Sequence, residues 1–107
     1  MLSNSDKQYL FKQWNEGVKA LGVPARHVST EGIETQCIVG FKTTKDEEII
    51  NSWGIGAKII TIRAAEVSPV KKLDRVFVMD QVYTLDFCDP VMLNDLFCGW
   101  RCYVRGN

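Results

Sequence analysis

The residues of this chain best suited to catalysis or metal binding are one histidine, His27, and four cysteines, at positions 37, 88, 98 and 102. No Ser, Cys or carboxylate lies at a sequence spacing from His27 that would by itself indicate a catalytic triad. Triad partners meet in space rather than along the chain, so spacing alone does not identify them. A structural histidine is the favoured interpretation, and a catalytic pairing of His27 with Cys37 or an acid is the alternative. Cys98 and Cys102 would share one face of a strand, but there is no Cys-x-x-Cys pair of the redox or zinc-ribbon kind. We therefore expect no metal ion and no cofactor, and reduced cysteines that act as small apolar packing residues.

Two further patterns bear on chemistry. Asp46, Glu47 and Glu48 form an acidic run in a polar segment, where solvated carboxylates are a simpler interpretation than acid–base or metal-binding duty. Trp53-Gly54-Ile55-Gly56 contains Gly-x-Gly, yet it lacks the preceding strand, third glycine and following helix of a dinucleotide site. Neither pattern indicates an enzyme, and we predict a protein without catalytic activity.

Composition predicts one domain over residues 1–107, with 46% hydrophobic and 24% charged residues. Thirteen basic residues balance thirteen acidic ones, which argues against broad binding to nucleic acid or to an anionic membrane. No apolar run approaches the roughly 18 residues of a membrane span, and residues 1–6 lack the order of a signal peptide. We expect synthesis in a cytosol.

The elements that must position these residues begin with a helix over residues 5–21, preceded by Ser5 or Asp6 as N-cap. Its predicted buried stripe has helical spacing and consists of Leu10, Trp14, Val18 and Leu21. A β domain over residues 25–105 follows, because the hydrophobic period changes from about four to two. Its predicted strands cover residues 26–29, 33–42, 58–63, 75–79, 82–87 and 100–105. Asp89-Pro90 is interpreted as a breaker, followed by a helical turn or loop over 91–97.

The resulting fold class is β-dominated α+β: a small antiparallel β-barrel or sandwich of about six strands, with one N-terminal helix and a long loop. That loop covers residues 43–57 and exceeds a hairpin connection. It places large apolar groups beside glycines, so it is the main candidate for a contact surface. The alternative is that Trp53 folds back and caps the core. The predicted subunit or partner interface consists of Ile49, Ile50, Trp53, Ile55, Lys58, Tyr9 and Phe11.

The order of elements from Arg26 onward resembles the family of small phage head–tail joining, or head-completion, proteins, which includes the head–tail attachment protein of phage lambda. The similarity is carried by residues 38–41, by 56–62 after the long loop, by 70–78, by 82–85 and by the closing 99–105. It covers about three-quarters of the chain without one diagnostic motif. The family usually has Gly-Asp before the strand that is predicted here at 75–79. Here Leu73 stands in the place of the glycine, and Asp74 remains.

The resemblance implies a virion structural protein of the head–tail neck, assembled in the host cytoplasm. It implies a hexameric or higher ring below the portal, in contact with portal or connector proteins and with tail proteins. It implies no cofactor, no membrane and no specific nucleic acid. One alternative is a tail-terminator or other neck or tail ring protein. A further alternative is an OB-like single-stranded nucleic-acid-binding module, whose aromatic residues would stack on bases.

Overall fold

A computed structural model describes residues 3–106 of the chain. Within that range it has two helices and seven strands. The helices are α1 (Asn4–Leu21) and α2 (Glu47–Trp53). The strands are β1 (Val23–Val28), β2 (Glu34–Thr43), β3 (Lys58–Arg63), β4 (Arg75–Val78), β5 (Gln81–Thr84), β6 (Phe87–Leu93) and β7 (Leu96–Val104). The predicted class, mostly antiparallel β with an N-terminal helix, is confirmed.

The strands form one antiparallel sheet in the order β5-β4-β1-β2-β3-β7-β6, which curls into a half-barrel. The curl occurs in β2, because its first half pairs with β1 and its second half, from Gly40, pairs with β3. A long strand that takes part in two halves of a sheet turns a corner between them. The two ends of the sheet come close where β5 leads into β6.

The core lies inside the curl and is filled by side chains from the inner faces of both halves of the sheet. Its largest fully buried aliphatic members are Val39, Ile60, Ile62, Val76, Val78 and Leu85. Strand β7 follows the alternation expected from the sequence: Trp100, Cys102 and Val104 are buried, whereas the residues between them face outward. The predicted inner and outer faces of this strand are therefore confirmed.

Two predictions in the second half of the chain are wrong. The run at 82–87 is not one strand, because the chain changes partner at its centre: Leu85 N donates to Asp74 O, whereas Asp86 N donates to Tyr103 O. Asp89-Pro90 is no breaker, since both residues lie within β6. β6 is the last strand of the sheet, and an edge strand tolerates a proline because one side of its backbone needs no partner. Residues 91–97 form the end of β6, a tight turn at Asn94 and the start of β7.

Helix α1 begins earlier than predicted, because the N-cap is Ser3, whose Oγ accepts a hydrogen bond from Asp6 N at 3.1 Å. The predicted stripe is only partly buried. Trp14 and Val18 are half-buried against the outer face of β2, β3 and β7, whereas Leu21 is 89% exposed. The helix therefore docks on the sheet through its centre and projects its C-terminal apolar residue into solvent.

Candidate interaction surfaces

The segment 43–57 contains helix α2, which the sequence interpretation did not predict. Asp46 caps the helix: its Oδ1 accepts hydrogen bonds from Glu48 N at 2.9 Å and from Ile49 N at 3.4 Å. Gly54, with φ +94°, ends it. An acidic N-cap and a C-terminal glycine are ordinary helix signals, but seven residues are too few to show a helical period. The expectation that Gly54 and Gly56 exclude a regular element from this segment is therefore wrong: the helix fits before Gly54 and ends there.

Trp53 lies on the outer face of the sheet and neither projects freely nor caps the core. Its ring stacks on Tyr103, with 5.8 Å between ring centroids and 9° between ring planes, and contacts Phe87 at 6.0 Å. The Arg105 guanidinium lies 5.2 Å from the Trp53 centroid. Phe87 and Tyr103 face each other across β6 and β7, so they share this face. Phe87 and Tyr103 are not among the predicted interface residues, although the outward phase of Tyr103 in its strand was a usable signal.

The other predicted loop residues lie close to Trp53 along the chain. Ile55 is 76% exposed, and Ile49 and Ile50 are half-buried. Lys58 Nζ donates to Thr43 Oγ1 at 2.6 Å, across the base of the loop. We call Ile49, Ile50, Trp53, Ile55 and Lys58 the loop surface. A groove runs from Ile55 and Arg105 to strand β5, with a volume of about 530 Å³.

The two predicted interface residues of α1 lie elsewhere. Tyr9 is exposed, and its Oη accepts a hydrogen bond from Gln13 Nε2 at 2.7 Å. Phe11 is half-buried and lies beside Arg63, the last residue of β3. We call Tyr9 and Phe11 the helix surface. Because Lys58 begins β3 and Phe11 lies beside Arg63, which ends it, the loop surface and Phe11 are separated by the length of β3.

The single histidine is buried and has a partner that the sequence interpretation did not identify. His27 Nε2 lies 2.8 Å from Asp74 Oδ2, with both side chains at most 3% exposed. Asp74 also accepts hydrogen bonds from Thr30 N at 3.2 Å and from Lys71 N at 2.9 Å. This carboxylate therefore joins the β1–β2 turn to the segment before β4. The pair lines a pocket of about 280 Å³ with both polar and apolar walls.

A histidine–carboxylate pair supports covalent catalysis only when an activated nucleophile lies beside it. Cys37 is the nucleophile that the sequence interpretation offered as an alternative. Burial, and then the nearby Glu66 carboxylate, raise the pKa of its thiol from 9.0 to about 11. Such a thiol stays protonated at neutral pH, so it is a poor nucleophile. Cys37 therefore does not provide the activated nucleophile that a catalytic role of the His27–Asp74 pair would need.

The cysteines are free thiols throughout residues 3–106. In the same range, His, Cys, Asp and Glu side chains do not gather in groups of three or more that would hold a metal ion. Neither of the described helices is long and apolar enough to cross a membrane. No protein-family model matches the chain, and no curated protein matches it.

Proposed function

We propose that this chain is a structural protein of a tailed-phage virion that joins the head to the tail by binding other protein subunits. The observation that carries the proposal is the arrangement of its candidate contact residues in two separate surfaces. The loop surface lies at the start of β3, and Phe11 of the helix surface lies beside the end of β3. Six strand residues separate them by roughly 17 Å. Subunits that meet head-to-tail in a ring use two different surfaces, and this chain offers two.

The backbone before β4 supports the resemblance on which the proposal rests. Leu73 has φ +75°, in the left-handed region that favours glycine. This is the position where the family usually has glycine. The following residue, Asp74, is buried and makes the three contacts described above. The turn therefore has the backbone geometry that Gly-Asp would suit, although the chain carries Leu-Asp.

The loop surface has the composition of a protein contact site. Exposed Ile55 and the edge of the Trp53–Phe87–Tyr103 cluster supply apolar and aromatic area, and Arg105 and Lys58 supply charge at the rim. Interface centres are enriched in aromatic residues and arginine, with polar groups around them. A tail-terminator or other neck or tail ring protein would use the same two surfaces, so the identity of the partner distinguishes these alternatives.

Segment 43–57 also supplies a mechanism for ordered assembly. Helix α2 has seven residues with none fully buried, and helices this short have little stability of their own. The segment is held by Trp53, by Gly106 N donating to Trp53 O at 2.7 Å, and by Thr44 N donating to Ala57 O at 3.1 Å. We expect it to open in the free monomer and to become ordered against a neighbouring subunit. Amide exchange tests this: equal protection of residues 43–57 in monomer and assembly would contradict it.

The main experiment measures the mass of the purified chain by light scattering after size exclusion, alone and with candidate portal, neck and tail proteins. We expect a multi-copy ring when the correct partner is present. The test variant is Ile55→Asp, which places a charge in the loop surface. If Ile55 is a hot spot worth about 2 kcal/mol, the variant should bind the partner roughly thirtyfold more weakly.

The matched control is Ile33→Asp. Ile33 is also strongly exposed, at 62%, but lies after the β1–β2 turn, outside both candidate surfaces. It should bind as the unmodified chain does. Equal weakening in both variants would point to a general effect of charge, and no weakening in either would exclude the loop surface as the contact site.

The aromatic cluster favours one second candidate, the single-stranded nucleic-acid module. Trp53, Tyr103 and Phe87 lie together on an outer sheet face beside Arg105, and bases stack on such rings. Oligonucleotide binding that weakens steeply between roughly 50 and 200 mM salt would support this candidate. A structural joining subunit should bind the same oligonucleotides weakly and without such a dependence.

A further inference from the structure

The inner face of the β6–β7 pair holds two cysteines that neither the core packing nor the proposed function requires to be adjacent. Cys88 on β6 and Cys102 on β7 are direct partners in the antiparallel register. Their neighbours Phe87 and Tyr103 contact each other on the outer face, so both thiols point inward, because successive strand residues alternate. Cys102 is fully buried, and Cys88 is half-buried against the core. One thiol is thus open to small reagents and the other lies behind it.

The spacing of directly opposed residues suits a covalent link. Opposed Cα atoms in antiparallel strands lie roughly 4.5–5.5 Å apart. A disulfide needs a Cα separation of about 4.4–6.8 Å and two Cβ vectors that point toward each other. The other two cysteines lack such an arrangement: Cys37 faces Ala25 across β1 and β2, and Cys98 lies at the register shift between β6 and β7.

Stepwise exchange requires one thiol that ionises more readily than the other, and the Cys88 and Cys102 thiols differ in acidity in this way. A hydrogen bond from the Cys102 thiol is the main cause that lowers the pKa of Cys88. The same contact is the main cause that raises the pKa of Cys102, followed by burial. Cys88 is therefore the thiol that ionises first. Once Cys88 becomes a neutral mixed disulfide, the main cause that holds the proton on Cys102 disappears.

We propose that Cys88 and Cys102 form a reversible cross-strand disulfide by exchange with a low-molecular-weight disulfide, with Cys88 as the attacking thiol. In the first step the Cys88 thiolate attacks one sulfur of oxidised glutathione. The oxidant's S–S bond breaks, a mixed disulfide forms at Cys88, and one glutathione leaves as a thiolate that takes up a proton. In the second step Cys102 gives up its proton and attacks the Cys88 sulfur, which releases the second glutathione. The protein loses two protons and two electrons, and the oxidant becomes two reduced glutathione molecules.

The disulfide would covalently link β6, the last strand of the sheet, to the neighbouring strand β7. This proposal does not depend on the proposed virion function. Loss of partner binding and loss of disulfide formation are separate results, obtained by separate measurements.

The test incubates the folded full chain with oxidised glutathione near pH 8, quenches it with acid, and records the intact mass and the disulfide-linked peptides. We expect a mass loss of about 2 Da, a single Cys88–Cys102 link, and full reversal by dithiothreitol. Cys98→Ser is the matched control and should behave in the same way. Cys102→Ser should instead retain one glutathione on Cys88, because the second thiol is missing.

Three results would overturn the proposal: an unmodified wild-type chain, a stable glutathione adduct without an internal link, or a link through Cys37 or Cys98. If Cys102→Ser does not fold, Cys88→Ser replaces it, since Cys88 is only half-buried. That variant should resist glutathione altogether. Its rapid modification at Cys102 would contradict the assignment of Cys88 as the attacking thiol.

Discussion

At most positions a glycine variant is less stable than the alanine variant, and at residue 73 we expect the opposite order for Leu73→Gly and Leu73→Ala. Leu73 has φ +75° and is 57% exposed. A residue with a Cβ pays roughly 1–2 kcal/mol in this conformation, whereas glycine adopts it freely. Glycine has its own cost of about 0.5–1 kcal/mol, from the greater freedom of its unfolded chain. We therefore expect Leu73→Gly to be more stable than Leu73→Ala by about 0.5–1 kcal/mol.

The comparison with alanine is needed because the leucine side chain is partly buried. Removing it costs on the order of 1 kcal/mol in either variant, and that cost cancels when the two are compared. The matched control is the pair Lys12→Ala and Lys12→Gly, at an exposed position inside α1. There glycine should be the less stable of the two by roughly 1 kcal/mol.

Urea denaturation measures both pairs, with unchanged m-values as the condition for comparing them. A difference of 1 kcal/mol moves the midpoint by roughly 0.5–1 M for a domain of this size. If Leu73→Gly is less stable than Leu73→Ala by the amount seen at Lys12, the backbone at residue 73 carries no conformational strain. The physical support for placing a family glycine at this position would then be lost.

Two further predictions concern buried groups. Asp74→Ala should lower the free energy of unfolding by roughly 3–5 kcal/mol, because it leaves His27 and two backbone N–H groups without their acceptor; a loss under 1 kcal/mol in urea denaturation would contradict this. Cys37 should make the fold less stable in alkali. The pKa of the Cys37 thiol is raised in the folded state, so the stability that the protonated thiol contributes to the fold is complete below pH 9. This stability is lost as the pH rises toward about 11, because the thiol ionises in the unfolded chain over this range but stays protonated in the folded one. The fall in the melting temperature over this window should be smaller in Cys37→Ala, and an equal fall in both proteins would show that Cys37 is not its source.

The sequence by itself determined the local elements whose signals lie within a few residues. The period of four in 5–21 predicted α1, and the alternating or β-branched runs predicted β2, β3 and β4 within one or two residues of their observed bounds. Thr30-Glu31-Gly32 predicted the β1–β2 turn, where Gly32 has φ +89°. These predictions succeed because burial on one face imposes a period that is visible in the chain itself.

Tertiary structure decided the features that depend on a distant partner. Pro90 occupies a strand because β6 is the last strand of the sheet, and the run at 82–87 divides because its two halves pair with β4 and β7. His27 finds Asp74 at a distance of 47 residues along the chain, and Trp53 finds Tyr103 at 50. No spacing rule relates such pairs: the pairing of β1 with β4 brings His27 to Asp74, and the pairing of β3 with β7 brings the segment that carries Trp53 to Tyr103. The loop surface and Phe11 are separated because Lys58 begins β3 and Phe11 packs beside Arg63 at its other end. The residues of α1 and β3 taken alone do not show this proximity, because it depends on where the helix docks on the sheet.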